Sequence, residues 1–169
     1  LGEEAFRFFP GFVLLGRLVK PLLGGDEVLA SVLIANLFSL CMFAVLYRLV
    51  IVETGNVARA KITVWMLALF PTAFVLVWGY AESLFITLTL VVFLALKKQN
   101  WKMVALVAFL AGLTRPTGAL IAVAVVTASG FWNMASGFKG RVERLAAFTG
   151  GPLGVMVFLL WSNSQNEEK

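Results

Sequence analysis

Two charged side chains stand alone inside long apolar runs, and they are where this sequence could do chemistry. Residues 62–96 contain a single charge, Glu82, and residues 103–138 contain a single charge, Arg115. An ionised group in such surroundings is costly unless it meets water, a partner or a ligand, so each is a candidate functional residue. Arg115 lies in Thr114-Arg115-Pro116-Thr117-Gly118. A guanidinium held by a proline-broken loop can fork onto a phosphate, and backbone N–H groups opening a helix after Pro116 would add to the attraction. Thr114 is counted with the same site. The competing reading is an Arg that only neutralises Glu82 or snorkels to the interface. Glu82 follows Trp78-Gly79-Tyr80-Ala81 and precedes Ser83. Its carboxylate could orient a sugar hydroxyl, accept a proton or pair with Arg115, and Tyr80, Trp78 and Ser83 also suit a hydroxyl-rich ligand. Alternatively, Glu82 and Ser83 only cap a helix.

The composition says what kind of body carries these groups. The chain is 60% hydrophobic and 14% charged, with a mean hydropathy of +0.92. An ordinary soluble domain is less apolar and carries about a quarter charged residues. The values indicate an integral, multi-pass membrane protein. A net charge of +5 could suggest nucleic acid. The cations, however, fall in short clusters between apolar spans, as membrane orientation requires, with no basic face of stacking aromatics, so no nucleic-acid partner is expected. The lone Cys41 excludes an intrachain disulfide, and the lack of His disfavours a transition-metal site. No metal site is expected, although a divalent hard cation on carboxylates stays open.

The elements that must position the site read as an all-α bundle of short or broken membrane helices in one domain spanning 1–169. Residues 7–24 carry Arg17, Lys20 and Pro21 among apolar neighbours and predict an amphipathic helix lying in the interface, with a tilted crossing as the alternative. Its Phe6, Phe8 and Phe9 read as interface anchors. Residues 28–51 form the clearest crossing, preceded by Asp26 and Glu27 where acids suit a helix start. Within it Asn36 and Ser39 share a face, and an interhelical hydrogen bond is favoured over ligand contact. The 62–96 run is nearly twice the length of about 20 residues that one crossing needs. It therefore divides into helices 62–78 and 81–97 around a turn at 79–83. A straight helix over 103–138 would exceed about 50 Å against a hydrocarbon core of roughly 30 Å. Pro116 should break it into a hairpin, 103–114 with 117–134, with Gly112 and Gly118 allowing close backbone approach. Trp101 reads as an interfacial anchor, 138–144 as a surface segment, and 145–161 as a final crossing containing a loose Thr149-Gly150-Gly151-Pro152.

Sidedness follows from the cations. Arg48, Arg59, Lys61, Lys97, Lys98, Lys102, Lys139, Arg141 and Arg144 can share one side, which the positive-inside rule assigns to the cytoplasm. Glu3, Glu4, Asp26, Glu27, the 79–83 turn and the Arg115 loop then converge on the other face.

Three stretches at these separations, FRFFPGFVLLGRL at 6–18, FPTAFVLVWGYAESLF at 70–85 and AGLTRPTGAL at 111–120, resemble the PIG-V family of GPI mannosyltransferase 2 enzymes and their prokaryotic relatives. These are multi-pass glycosyltransferases of the GT-C superfamily. The resemblance implies an inverting transfer of a sugar, mannose in the eukaryotic members, from a polyprenyl-phosphate donor to a lipid-linked or glycan acceptor at the non-cytoplasmic face. It implies no redox cofactor, and the partners would be the lipid-linked donor and membrane lipids. The membrane would be the cell (inner) membrane in a prokaryote and the endoplasmic reticulum membrane in a eukaryote. The family's catalytic carboxylate lies in a loop ahead of the Phe-Phe-Pro segment, so the base is expected upstream of Leu1, with Glu3 and Glu4 the nearest acids here. Tyr80, Glu82 and Ser83 match the family's Tyr-x-Glu-Ser turn and Arg115 its Thr-Arg-Pro loop, with Arg115 holding the donor phosphate. A reading from another class is a transporter or flippase-like protein for a lipid-linked solute, in which Glu82 and Arg115 mark the path.

Overall fold

A computed structural model describes residues 10–128, 130–132 and 137–167. The regular elements among the described residues are all helical, with no strand among them. In chain order the α-helices are α1 Pro10–Val19, α2 Glu27–Thr54, α3 Val57–Ala68, α4 Glu82–Lys97, α5 Trp101–Thr114, α6 Ile121–Thr127 and α7 Phe138–Glu167. Short 3₁₀ turns occupy Lys20–Leu23, Ala73–Leu76 and Pro116–Leu120. Glu3 and Glu4, with Phe6, Phe8 and Phe9, lie outside the described residues.

Local chemistry sets most of the boundaries. The Asp26 carboxylate accepts the Leu29 N–H at 3.0 Å to open α2. Gly55, at φ 64°, closes it in the left-handed conformation that glycine adopts without a Cβ clash. The Asn56 side chain then caps α3 by accepting from the Arg59 N–H at 3.0 Å. Two helices thus join through two residues. Asn100 does the same for α5, accepting from the Met103 N–H at 3.2 Å.

Several expected helices are corrected. The segment expected to be helical over 62–78 stops at Ala68, because Pro71 pushes Phe70 out of the helical region, and only a 3₁₀ turn follows. The return arm expected over 117–134 is a 3₁₀ turn plus the seven residues of α6. It ends where Gly130 takes φ 89° and the Trp132 indole N–H donates to the Val126 carbonyl at 3.0 Å. The crossing expected over 145–161 is the middle of the 30-residue α7, so the surface segment expected over 138–144 opens that helix and the stretch expected to be loose at 149–152 is helical within it. Pro152 sits inside this helix, a substitution tolerated in apolar surroundings where neighbouring groups can compensate. The interfacial helix expected over 7–24 is α1 followed by a 3₁₀ turn to Leu23. Helices α4 and α5 lie within a residue or two of 81–97 and 103–114.

The chain divides into two compact units. Leu14–Leu90 is built on α2. Its inward stripe is Ala30, Ile34, Ala35, Ser39 and Met42, while Leu33, Leu37 and Leu40 face outward. Helix α3 returns along α2, and Thr87 at the start of α4 donates across to the Phe38 carbonyl at 2.9 Å. The other unit combines Leu1–Val13 with Val91–Lys169, and its core is the pairing of α5 with α7.

Two helices, Glu27–Thr54 and Phe138–Asn163, are long and apolar enough to cross a membrane. Only 28% of each apolar window is buried. A helix whose apolar side chains mostly face outward is suited to lipid, whereas a soluble core helix would hide them.

Candidate functional site

The Arg115 turn is a short break between two half-length helices. Helix α5 ends when Arg115 takes an extended backbone, φ −154° and ψ 148°, the conformation that the following proline enforces. Thr114 is buried and its hydroxyl donates to the Ala111 carbonyl at 2.7 Å, so its hydrogen is already committed. The Gly118 N–H donates to the Arg115 carbonyl at 3.0 Å, closing the turn. Arg115 itself is half-buried. The anion-attracting helix start expected after Pro116 is corrected: the 3₁₀ turn has five residues and α6 seven, too short for an appreciable helix dipole.

This turn is clamped by backbone instead of by large side chains. A Cβ at Gly118 would lie 2.6 Å from the Gly112 Cα, so the return arm rests directly on α5. From α7, Cβ atoms at Gly151, Gly154 and Gly150 would collide with the carbonyl oxygens of Gly118, Phe109 and Ala105 respectively. A Cβ at Gly11 of α1 would likewise come within 2.7 Å of Thr114 Cγ2 and 3.1 Å of the Leu113 carbonyl oxygen. Gly11 near the start of α1 and Leu113-Thr114 at the end of α5, about a hundred residues apart, are therefore in contact.

The far end of α5 is organised differently. Trp101, expected as an interfacial anchor, is buried, with the Arg144 guanidinium 5.5 Å from its ring centroid and Phe131 packed edge-on at 6.2 Å. Arg144 is itself buried, correcting its placement in a surface segment. Lys102 lies 3.7 Å from Glu143. The Lys97-to-Lys102 and Lys139-to-Arg144 clusters thus meet at one end, with α6 returning to it, and Arg115 sits at the other, about 20 Å away at 1.5 Å per residue.

In the Leu14–Leu90 unit, Tyr80, Glu82 and Ser83 lie where a tight loop enters α4. Tyr80 is exposed, and its backbone N–H donates to the Trp78 carbonyl. Glu82 is the first residue of α4 and is half-buried. Ser83 is fully buried and its Oγ has no partner among the described residues, so it does not cap the helix. The loop ahead of them is held to α2 at two points. Asn36 Nδ2 donates to the carbonyls of Val32 at 2.8 Å and Val77 at 2.9 Å, and Gly79 approaches Ser31 so closely that a Cβ would lie 2.8 Å from the Ser31 Cβ. Asn36 is thus a structural clamp. Asn36→Leu should cost about 1 kcal/mol and raise amide exchange at residues 77–79 while leaving 57–68 protected; unchanged exchange there would remove the clamp.

The structure divides the expected residues into Tyr80, Glu82 and Ser83 in one unit and Thr114 and Arg115 in the other. Sequence reasoning missed Gly11, Gly150, Gly151 and Gly154. For the last three the signal was small residues spaced three or four apart in an apolar helix, the pattern that lets backbones approach. No protein-family model matches the chain, and no curated protein or solved structure is significantly similar to it.

Proposed function

We propose that this chain belongs to a multi-pass membrane glycosyltransferase of GT-C type, resembling the PIG-V family. It would move a sugar, mannose first among candidates, from a polyprenyl-phosphate donor to a lipid-linked or glycan acceptor at the non-cytoplasmic face. The observation that carries the reading is the Arg115 turn. An arginine is set on extended backbone between two half-length helices, and Gly11 of α1 packs against the Leu113-Thr114 step just ahead of it. Both segments belong to the motif set on which the resemblance rests. In this reading Arg115 holds the donor phosphate and stabilises its charge as it leaves. Glu82, with Tyr80 and Ser83, shapes the sugar pocket. A carboxylate ahead of Pro10, where Glu3 and Glu4 stand, takes the proton of the acceptor hydroxyl. Membranes containing the protein, supplied with polyprenyl-phosphate mannose labelled in the sugar, should yield a labelled acceptor. Inserted protein that yields none, but moves the intact donor between leaflets of proteoliposomes, would replace this reading with the transporter.

The reading also fixes sidedness. In a Cys41→Ser background, single cysteines at positions 80 and 98 should react with an impermeant maleimide from opposite sides of the membrane. Labelling of both from one side would end the assignment.

A further inference from the structure

The Leu14–Leu90 unit contains an open cavity of about 500 Å³ between the first turns of α2 and the 77–79 loop. This is the size of a small-molecule pocket. Val28, Val32 and Val77 give it an apolar wall, and Glu27, Ser31 and Trp78 bring a carboxylate, a hydroxyl and an indole to it. It is a built feature, because its loop wall is fixed by the Asn36 bond to Val77 and by the contact of Gly79 with Ser31.

The chemistry of the lining selects the ligand. Lys20 Nζ donates to Glu27 Oε1, so the charged group at the rim is a paired one. The lining itself offers no cation to a phosphate, and Lys20 balances the one acid it offers to a cation, which suits a neutral ligand. Glu27 Oε2 has no hydrogen-bond partner among the described residues, and the Ser31 hydroxyl, which donates to the Glu27 carbonyl at 2.8 Å, keeps its acceptor capacity. Both can receive O–H donors. Trp78 is largely exposed and is braced edge-on by Phe74 at 6.1 Å, so its ring is available as a platform. The negative face of an indole attracts the C–H hydrogens on one side of a pyranose ring. The cavity also opens at the head of a membrane-length helix whose Val28, Leu29 and Leu33 are exposed, a surface for an acyl or prenyl chain.

We propose that this cavity binds the pyranose head of a membrane-anchored neutral glycolipid, with the ring on Trp78 and its hydroxyls on Glu27 and Ser31. Binding needs no turnover, so the proposal stands apart from the transfer reaction. The test uses the chain in phosphatidylcholine nanodiscs with octyl mannoside and octyl glucoside probes carrying a diazirine on the alkyl chain, and an octyl phosphocholine probe of the same chain. After irradiation, mass spectrometry should map at least one glycoside probe, but not the phosphocholine probe, to residues 27–32 or 77–79. Labelling should fall about tenfold in Trp78→Ala and in Glu27→Gln, and persist in Trp78→Phe, Trp65→Ala and Arg115→Ala. Equal labelling by the phosphocholine probe would reduce the cavity to a lipid-tail groove and overturn the proposal. So would glycoside labelling that survives both Trp78→Ala and Glu27→Gln. Displacement by methyl mannoside or methyl glucoside at concentrations equal to the probe would reassign the cavity to free sugar and overturn the lipid anchor.

Discussion

Valine at position 151 should prevent α5, α7 and the Arg115 turn from packing. The first atom of any side chain there falls on the Gly118 carbonyl oxygen, and a backbone carbonyl cannot swing aside as a side-chain tip can. The helices must then separate, and the loss spreads along a seam where Ala108, Ala111 and Ala147 are fully buried. We expect a destabilisation of about 3 kcal/mol, at the upper end of overpacking effects. It would be measured by titrating the protein from mild detergent into denaturing detergent and following helix content. Gly16→Ala is the control. No atom lies within 4 Å of its added Cβ, and in the middle of α1 alanine should stabilise by roughly 0.5–1 kcal/mol. A Gly151→Val variant as stable as the parent would mean that the seam does not exist.

Arg115→Ala should lower sugar transfer about 10²- to 10³-fold, the loss seen when one donor to a developing negative charge is removed. Insertion and helix content should be unchanged, because the turn is held by backbone contacts of Gly11, Gly118 and Gly151 and by the Thr114 bond to Ala111. Arg115→Lys should fall between the two, since lysine keeps the charge and loses the planar fork that grips two oxygens at once. The phosphate role predicts that the deficit persists at saturating acceptor. Full activity in the alanine variant would remove Arg115 from the mechanism, and lost helix content would show it to be a packing residue.

How much of this was legible in the sequence depends on whether the cause was local. Asp26, Asn56, Asn100 and Gly55 cap or end helices by bonds to residues within four positions, and the boundaries near them could be read directly. Pro116 likewise announced the break at Arg115. Pro71 was read as a feature within a helix, whereas it ends one, because a proline disfavours the helical conformation of its predecessor as well as its own hydrogen bond. Gly150, Gly151 and Pro152 looked like a loose stretch within a crossing, because they are poor helix formers in water. Their real determinant is α5, and a partner surface is not visible in local propensity. The same applies to Trp101 and Arg144, each of which looks like an interfacial residue until the other is set beside it. For the site, the residue types at 80–83 and 114–115 were evident, as was the close approach at Gly112 and Gly118, while the α7 glycines that clamp the Arg115 turn show their role only when α5 is set beside them.

That glycine and alanine seam has a consequence for how cheaply the bundle forms. Leucine or methionine at a helix contact must give up rotamer freedom when it docks, whereas glycine and alanine have none to lose. The contact of α7 with α5 and the Arg115 turn therefore carries almost no side-chain entropy penalty at Gly112, Gly118, Gly150, Gly151 and Gly154. Its closeness brings dispersion contacts along the backbone itself. The seam should thus tighten or loosen as a unit, and the backbone that bears Arg115 should be among the last parts of the chain to fluctuate as temperature rises.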